Sequence, residues 1–375
     1  MNNNNKNQTL GDEIREEIMK LISKTIVTTL LGLGVLGVGL TERSSAAEFK
    51  MTASSSHPPI IPWVAAIKNH VVPESVKRAK ALGHTIKWTE AYSGTLYNFK
   101  NTLEGIQDGL GDIGWVGTLW EPNKMPLENV SYFAPFVAVD TKNLQEISED
   151  MHKKIPQMNK EWLKFNQVAI GVMSADGYVI VSKKPIRKLE DFKGLKLYAP
   201  GAVARWLEGT GAVGINAGLP IQYNGIKTGV ADGSIVPGTA VLPFKLHEVA
   251  PYIIQANIGG SMPGALTMNL NTWKKLPKEL QDMFMQLGKE YADLNTKEIK
   301  ARRTKHLAIV AKQGGKIITM PRKEQERWAA AVPDIAGDWV KIYEKKGLPA
   351  KAVLDAYVKG AKARGEKPLR DWGVK

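Results

Sequence analysis

The chain has 375 residues with 51 Lys and Arg against 37 Asp and Glu, a formal net charge of +14, and no cysteine. The absence of cysteine excludes disulfides, thiolate metal sites and a cysteine nucleophile. The length suits two lobes better than a single core. The positive charge is spread over predicted helices and no basic and aromatic motif accompanies it, so we expect no nucleic-acid partner.

The first 47 residues predict an export signal. A basic stretch precedes an uncharged apolar run at residues 26–40, and small residues at 44–47 offer a cleavage site. The run of about 15 residues is shorter than the roughly 20 that a membrane-spanning helix needs. A lipid anchor would need a cysteine at the cleavage site. We therefore expect cleavage near Ala47 and a free periplasmic protein, with Met19 as an alternative start.

A glycine pattern inside the predicted signal imitates a nucleotide site. Residues 32–37 match the G-x-G-x-x-G spacing of dinucleotide-binding loops. That motif requires a strand before it and a helix after it, whereas here it lies in the apolar core of the export signal. We therefore expect no cofactor.

From residue 48 onward, strand and helix patterns alternate. Apolar runs and alternating residues predict strands at 49–54, 85–91 and 112–116, and apolar residues at helical spacing predict helices at 61–82 and 96–110. This order is typical of a parallel sheet with helices on its faces, and it places the protein in the α/β class.

A second unit of the same kind begins near residue 168. Its predicted elements are strands at 168–173, 178–182, 195–199 and 234–236, with helices at 203–209 and 222–228. Two such units in one chain agree with the two lobes that the length suggests.

A very long helix follows the second unit. Leu276 and Pro277 open a helical pattern that continues to about residue 313, where two glycines end it. About 36 residues at roughly 1.5 Å each make about 54 Å, so we expect this helix to span both lobes. Any bend or break is expected at residues 304–306. A strand at 316–319 and a mostly helical tail complete the chain.

Catalytic and metal-binding motifs are missing from the sequence. The 6 histidines show no HExxH spacing, and neither a GxSxG elbow nor a GxxxxGK[ST] loop occurs. Acidic pairs such as Glu190 and Asp191 lie in polar turn sequence. We therefore expect neither a metal site nor an enzyme.

Four segments, in chain order, resemble one protein family. Residues 104–114 (EGIQDGLGDIG), 189–197 (LEDFKGLKL), 223–233 (YNGIKTGVADG) and 276–281 (LPKELQ) carry the likeness. They are similar to motifs of the DctP-type solute-binding proteins of tripartite ATP-independent periplasmic (TRAP) transporters. The resemblance covers almost the whole chain after the predicted signal.

The resemblance implies a two-lobed α/β periplasmic binding protein with a central cleft, in which hinge closure buries a small-molecule ligand. Lobe I would comprise residues 48–175 and about 262–305; lobe II, with the C-terminal helices, would comprise 176–261 and about 306–375. The loaded protein would dock on the membrane subunits of a TRAP transporter. A receptor of an ATP-driven importer, distinguishable by its neighbouring genes, and a periplasmic enzyme, distinguishable by turnover, are the alternatives.

Two positions depart from the family pattern. The family usually carries an arginine two residues before the proline that matches Pro200, and here that residue is Tyr198. A second family arginine falls near Tyr178. An arginine fork makes two charge-assisted bonds to one carboxylate, which a phenol cannot do, so a simple dicarboxylate or sugar-acid ligand is not implied here.

The residues expected in the ligand cleft are mostly rings. They are His57, Trp63, Tyr92, Trp115, Thr118, Trp120, Tyr178, Tyr198, Arg205, Trp206 and Pro237. Three ligand classes fit this set: an amine or quaternary ammonium group with Glu121 or Asp176 as counter-charge, a neutral polyol-like or aromatic solute, or a carboxylate held by Arg205.

Overall fold

Two mixed sheets organise the protein in the computed structural model, which describes residues 47–373. The strands are β1 (Glu48–Ser54), β2 (Thr85–Ala91), β3 (Ile113–Gly117), β4 (Gln167–Ala175), β5 (Tyr178–Ser182), β6 (Lys196–Tyr198), β7 (Val213–Ile215), β8 (Gly233–Pro237), β9 (Tyr252–Gln255), β10 (Ser261–Asn269) and β11 (Lys316–Thr319). The first sheet has the order β2-β1-β3-β10-β4 and the second the order β11-β9-β5-β8-β6-β7. The predicted export signal lies outside the described residues, apart from Ala47.

Helices surround both sheets. They are α1 (Pro62–Ala66), α2 (Val72–Ala81), α3 (Thr102–Gln107), α4 (Val130–Phe133), α5 (Thr141–Lys154), α6 (Pro156–Lys164), α7 (Leu219–Lys227), α8 (Leu246–Val249), α9 (Leu270–Lys275), α10 (Lys278–Lys312), α11 (Arg322–Ala331), α12 (Ile335–Glu344) and α13 (Ala350–Ala363). Within residues 47–373, no helix combines the length and the apolar character that a membrane span requires.

The strand directions agree only in part with the parallel sheets that the strand-helix alternation predicted. β1 runs parallel to β2 and β3, and β6 runs parallel to β7 and β8. β10 is antiparallel to both of its neighbours, β3 and β4, and β5 is antiparallel to β8 and β9. Every residue of β3, β5 and β10 is buried, and most of these residues are apolar or glycine. The predicted α/β fold class is confirmed.

Two predicted helices are less regular than their sequence pattern indicates. The single helix expected at 61–82 consists of α1, a π-helical turn at Ile67–Val71 and α2. The helix expected at 203–209 is a 3₁₀ segment at Gly201–Leu207. Apolar spacing alone does not distinguish α-, π- and 3₁₀-helical turns, because over one or two turns all three place side chains at similar intervals.

The chain crosses between the two sheets at neighbouring strands. β4 of the first sheet leads directly into β5 of the second through Asp176 and Gly177, and β9 returns to β10 through residues 256–260. The amide of Tyr178 donates to the carbonyl of Gly259 at 2.9 Å, so the two crossings are hydrogen-bonded to each other. We refer to these two paired connections as the hinge.

The long helix α10 contacts both sheets, as the sequence predicts. It is continuous over 35 residues and shows no break at 304–306, where any bend was expected. Gly288 lies against β4 so closely that a Cβ there would be 1.8 Å from the carbonyl oxygen of Ile170. Further along, Arg303 donates to the Asp176 carboxylate of the crossing at 2.7 Å. The helix therefore packs on the first sheet and is ion-paired to the hinge.

The C-terminal helices contact parts of both predicted lobes. The indole of Trp328 on α11 donates to the carbonyl of Trp206 at 2.8 Å. Arg364, directly after α13, pairs with Glu146 and Asp150 of α5 at 3.0 and 2.9 Å. The lobe boundaries drawn from the sequence stay a prediction.

Candidate functional site

A cavity opens between the two sheets, at the carboxyl ends of their parallel strands. The cavity volume is about 50 Å³, and the wider space of about 510 Å³ between its atoms includes open solvent. Its lining residues are His57, Trp63, Trp115, Leu119, Trp120, Ala175, Tyr178, Pro200, Gly218, Leu219, Gln222, Ile235, Val236, Pro237 and Pro263. Open α/β sheets commonly bind ligands at this edge.

A cluster of four rings forms the wall on the side of the first sheet. His57 follows β1, Trp63 lies on α1, and Trp115 and Trp120 belong to β3 and to the 3₁₀ turn after it. The His57 ring stacks on Trp120 with centroids 5.8 Å apart and meets the edge of Trp115 at 5.5 Å. Trp63 and Trp115 are also 5.5 Å apart. We call these four residues the ring cluster.

The imidazole of His57 is uncharged near neutral pH. Burial lowers the pKa of His57 to about 4, because the protein interior disfavours the charged ring. Its Nδ1 lies 2.9 Å from the Ser56 hydroxyl, and its backbone N–H donates to the Ser55 hydroxyl at 3.1 Å. The local turn therefore fixes the orientation of the ring without adding charge.

Several donors in this wall are buried without a partner. Within residues 47–373, the indole Nε1 atoms of Trp63, Trp115 and Trp120 have no hydrogen-bonding partner. The great majority of buried polar groups in proteins are paired, so three unpartnered donors in one cluster are unusual. All three of these tryptophans line the cavity.

The opposite wall, from the second sheet, is mainly apolar. Ile235, Val236 and Pro237 come from β8, and Leu219 and Gln222 from α7. The amide of Gln222 is already engaged: its nitrogen donates to the Ala217 carbonyl at 3.0 Å, and its oxygen accepts from Ser234 at 2.8 Å. No lining residue that the structure describes is Lys, Arg, Asp or Glu.

Tyr178 is the predicted residue that the hinge itself brings to the cavity. It is the first residue of β5, directly after the crossing, and its hydroxyl lies 3.4 Å from that of Tyr132. Burial raises the pKa of the Tyr178 phenol, so the group stays neutral. The position that resembles a family arginine therefore offers a neutral hydroxyl here.

Other predicted residues do not line the cavity. Tyr198 of β6 is buried in the core, and its hydroxyl packs against Gly225 of α7. A Cβ at Gly225 would lie 1.8 Å from that hydroxyl oxygen. Trp206 is also in the core, and its indole donates to the Tyr132 carbonyl at 2.6 Å. Tyr92 packs at the edge of the core that contains Trp63.

Arg205 and Thr118 have other surroundings. Arg205 lies on a separate surface groove with Trp339 and Tyr343, and it is paired with Glu208 at 2.6 Å. Thr118 is fully buried next to the cavity wall, and its carbonyl accepts from the Asn129 side chain at 2.8 Å. For all eleven predicted residues, contact with a ligand stays a prediction.

The two predicted counter-charges are engaged elsewhere. Asp176 accepts hydrogen bonds from the backbone and hydroxyl of Thr239 at 3.0 and 2.7 Å, and it is ion-paired with Arg303. Glu121 is paired with Lys124 at 3.1 Å. Neither carboxylate lines the cavity.

Sequence reasoning missed most of the apolar lining. Ile235 and Val236 lie inside a strand, and Pro263 lies in β10, so each resembles a core residue. One local signal was available: Pro200 and Gly218 each follow a strand end, the kind of position that borders a cleft in open sheets. The contribution of β10 depends on the return of the chain from the second sheet, which no local pattern shows.

Comparisons with known proteins agree with this geometry. Residues 77–346 match the DctP family model, described as bacterial extracellular solute-binding protein, family 7. An uncharacterised protein of Haemophilus influenzae is 30% identical over 197 residues, which are 51% of this chain and 57% of that protein. The sialic acid-binding periplasmic protein SiaP of Vibrio cholerae is 25% identical over 233 residues, 61% of this chain and 69% of SiaP. The chain thus matches little more than half of the length of the first of these relatives.

A solved structure shows the same fold. It is a TRAP solute-binding protein from a marine metagenome, described as specific for aromatic acid ligands and determined with metahydroxyphenylacetate. It aligns with a TM-score of 0.73 at 20% identity and covers 84% of this chain and 99% of its own. The family model covers well over half of the chain, so the resemblance found in the sequence is confirmed. The chain belongs to the DctP family of bacterial extracellular solute-binding proteins, family 7.

Proposed function

We propose that the protein is a periplasmic receptor without catalytic activity. It captures a small organic solute between its two sheets and delivers it to the membrane subunits of a TRAP-type transporter. The observation that supports this most is the cavity at the hinge. Residues of both sheets line it, among them Ala175 of β4, Tyr178 of β5 and Pro263 of β10. A ligand that contacts both sides can stabilise the closed arrangement, which is how two-lobed receptors signal occupancy.

The close contact across the cleft supports the same proposal. Gly201, on the second-sheet side, approaches Leu119, on the first-sheet side, so tightly that a Cβ would be 2.1 Å from the Leu119 carbonyl oxygen. This contact lies beside the cavity, since Leu119 and Pro200 both line it. The arrangement corresponds to a closed cleft beside the cavity.

The family relatives give a first list of solutes to test. The Vibrio cholerae relative is named for sialic acid, and the metagenome structure for aromatic acids. In this chain, the ring cluster and the apolar second wall favour a solute with a ring or another apolar body. A polyol or an amine receives less support, because few free acceptors and no carboxylate are among the lining residues that the structure describes.

A thermal-shift screen tests the proposed function. The protein is purified from the periplasm of an expressing bacterium and heated with panels of acids, amines, polyols and aromatic compounds. A solute at 100 times its dissociation constant should stabilise the protein by about 2.7 kcal/mol, which shifts the melting temperature clearly. Chemical turnover of a stabilising solute would contradict the receptor function and favour a periplasmic enzyme.

A further inference from the structure

We propose that the solute is an uncharged, ring-containing molecule that presents a carbonyl-type acceptor to the indole N–H groups of Trp63, Trp115 and Trp120. The inference rests on the proposed function and adds the chemical class of the ligand. It combines two properties of the cavity, an uncharged lining and a set of unpartnered donors on one wall.

The uncharged lining disfavours a carboxylate. No Lys or Arg is among the lining residues that the structure describes, and Tyr178 occupies the place that resembles a family arginine. His57 cannot substitute as a cation, because burial lowers its pKa to about 4. A carboxylate that enters would lose hydration without gaining an opposite charge, and buried charges without a partner are strongly unfavourable.

The nearby cations do not alter this conclusion. Arg303 is bound to Asp176 and to the carbonyl of Gly177. Arg205 is paired with Glu208 on a separate groove. Each of these guanidinium groups already has a carboxylate partner, so neither is a ready counter-charge for a ligand anion.

The unpartnered donors identify what the solute must offer. An indole nitrogen can only donate a hydrogen bond. Trp115 is 1% exposed and Trp63 is 7% exposed, and both rings line the cavity, so water satisfies their donors poorly. A buried donor without an acceptor destabilises the protein, and a ligand acceptor at that place removes the penalty. A carbonyl oxygen or a ring nitrogen has this property.

The same inventory of hydrogen bonds argues against a sugar or polyol. Each hydroxyl of such a solute brings a donor that needs an acceptor. The side-chain oxygen of Gln222 already accepts from Ser234, and the Tyr178 hydroxyl lies beside that of Tyr132. Apart from the ring cluster, the remaining surface comes from proline, leucine, isoleucine, valine, alanine and glycine residues, which fit an apolar ring.

Matched pairs of small probes test the ligand class. Each pair keeps the ring and exchanges a carboxylate for an amide: phenylacetamide with phenylacetate, benzamide with benzoate, and pyroglutamide with pyroglutamate. We expect the neutral member of at least one pair to raise the melting temperature and its carboxylate to bind at least about tenfold more weakly. Stronger binding of the carboxylates would overturn the ligand class and leave the receptor function standing. Failure of every neutral and acidic probe to bind would count against both the ligand class and the receptor function.

A substitution isolates the indole donor. Trp115→Phe keeps a six-membered aromatic ring and removes the five-membered ring that carries the N–H. Trp328→Phe is the matched control, since its indole is also buried but donates to the Trp206 carbonyl at 2.8 Å, away from the cavity. We expect Trp115→Phe to weaken binding of the best neutral probe by about tenfold and Trp328→Phe to leave it unchanged.

The unliganded variants give a second readout that needs no ligand. Removal of an unpartnered donor should cost less than removal of a bonded one. We therefore expect Trp115→Phe to lower the melting temperature less than Trp328→Phe does. Equal losses in melting temperature, or an unchanged affinity of Trp115→Phe for the neutral probe, would overturn the role of the indole donor.

Discussion

Glu161 shows how burial sets the charge of a single residue in this protein. It is 6% exposed, and its carboxylate accepts the Leu127 amide at 3.2 and 3.1 Å. Burial, with a further contribution from nearby Glu128, raises the pKa of Glu161 from 4.5 to about 8. The folded pKa lies above the unfolded one, so the stability that this group contributes is complete below pH 4.5 and is lost as the pH rises through about 8.

Glu161→Gln should therefore stabilise the protein in alkaline solution. The amide oxygen can still accept from Leu127, while the cost of a buried charge disappears. We expect the free energy of unfolding at pH 8.5 to exceed that of the wild type by about 2 kcal/mol, and the difference to shrink toward pH 5. Urea denaturation at several pH values measures how the free energy of unfolding of each protein changes with pH. The same pH dependence in both proteins would contradict the assigned pKa.

The two tyrosines at the family arginine positions mark how far the sequence could predict the site. Tyr178 reaches the cavity because β5 begins directly after the hinge. Tyr198 turns into the core because α7 leaves a space at Gly225 that its hydroxyl fills. A packing space between distant segments has no sequence signal, whereas a strand end does.

At the scale of elements, the contact between α10 and β4 depends on a missing side chain. Gly288 meets the Ile170 carbonyl of β4 backbone to backbone. Ala is normally favoured over Gly inside a helix by about 1 kcal/mol. Gly288→Ala should nevertheless destabilise the protein, by about 2 kcal/mol, because the new methyl group must displace the helix.

Denaturant unfolding of Gly288→Ala measures this effect. Lys289→Ala, an exposed change in the next residue of the same helix, is the control and should leave stability within about 0.5 kcal/mol of the wild type. A stabilised Gly288→Ala would mean that α10 does not rest on β4 at this point.

The contact between Gly201 and Leu119 across the cleft gives a second prediction at the scale of structural elements. Gly201→Ala places a methyl group against the Leu119 carbonyl and should hold the two sheets apart. Gly194→Ala is a matched control: both glycines have positive φ, 57° and 79°, but nothing lies within 4 Å of a Cβ at Gly194. The two variants therefore share the backbone strain and differ in the clash.

Small-angle scattering and calorimetry separate these variants. We expect Gly201→Ala to have a larger radius of gyration than Gly194→Ala and to bind a neutral solute about tenfold more weakly, because the closed state becomes less populated. Identical scattering curves and affinities for the two would show that this contact does not limit closure.

For the whole molecule, local patterns predicted the order of elements, whereas the exchange of the chain between the two lobes was expected only from the family resemblance. The local patterns gave β1, β2, β3 and the long α10, because each has its own apolar periodicity. β10 joins the first sheet only after the chain has completed β5 to β9 in the second. That long-range return builds the hinge and places Pro263 in the cavity, so the sequence predicted the kind of fold better than the lining of its site.

The central claim is that a solute binds between the two sheets in the cavity beside the ring cluster. Titration calorimetry with the solute that stabilises the protein most tests it, with two variants on one helix. Leu219 lines the cavity, whereas Ile221 is 57% exposed and does not. We predict a single binding site in the wild type, a loss of about tenfold or more in affinity for Leu219→Trp, which fills the cavity, and wild-type affinity for Ile221→Trp. Unchanged affinity in Leu219→Trp would contradict the claim.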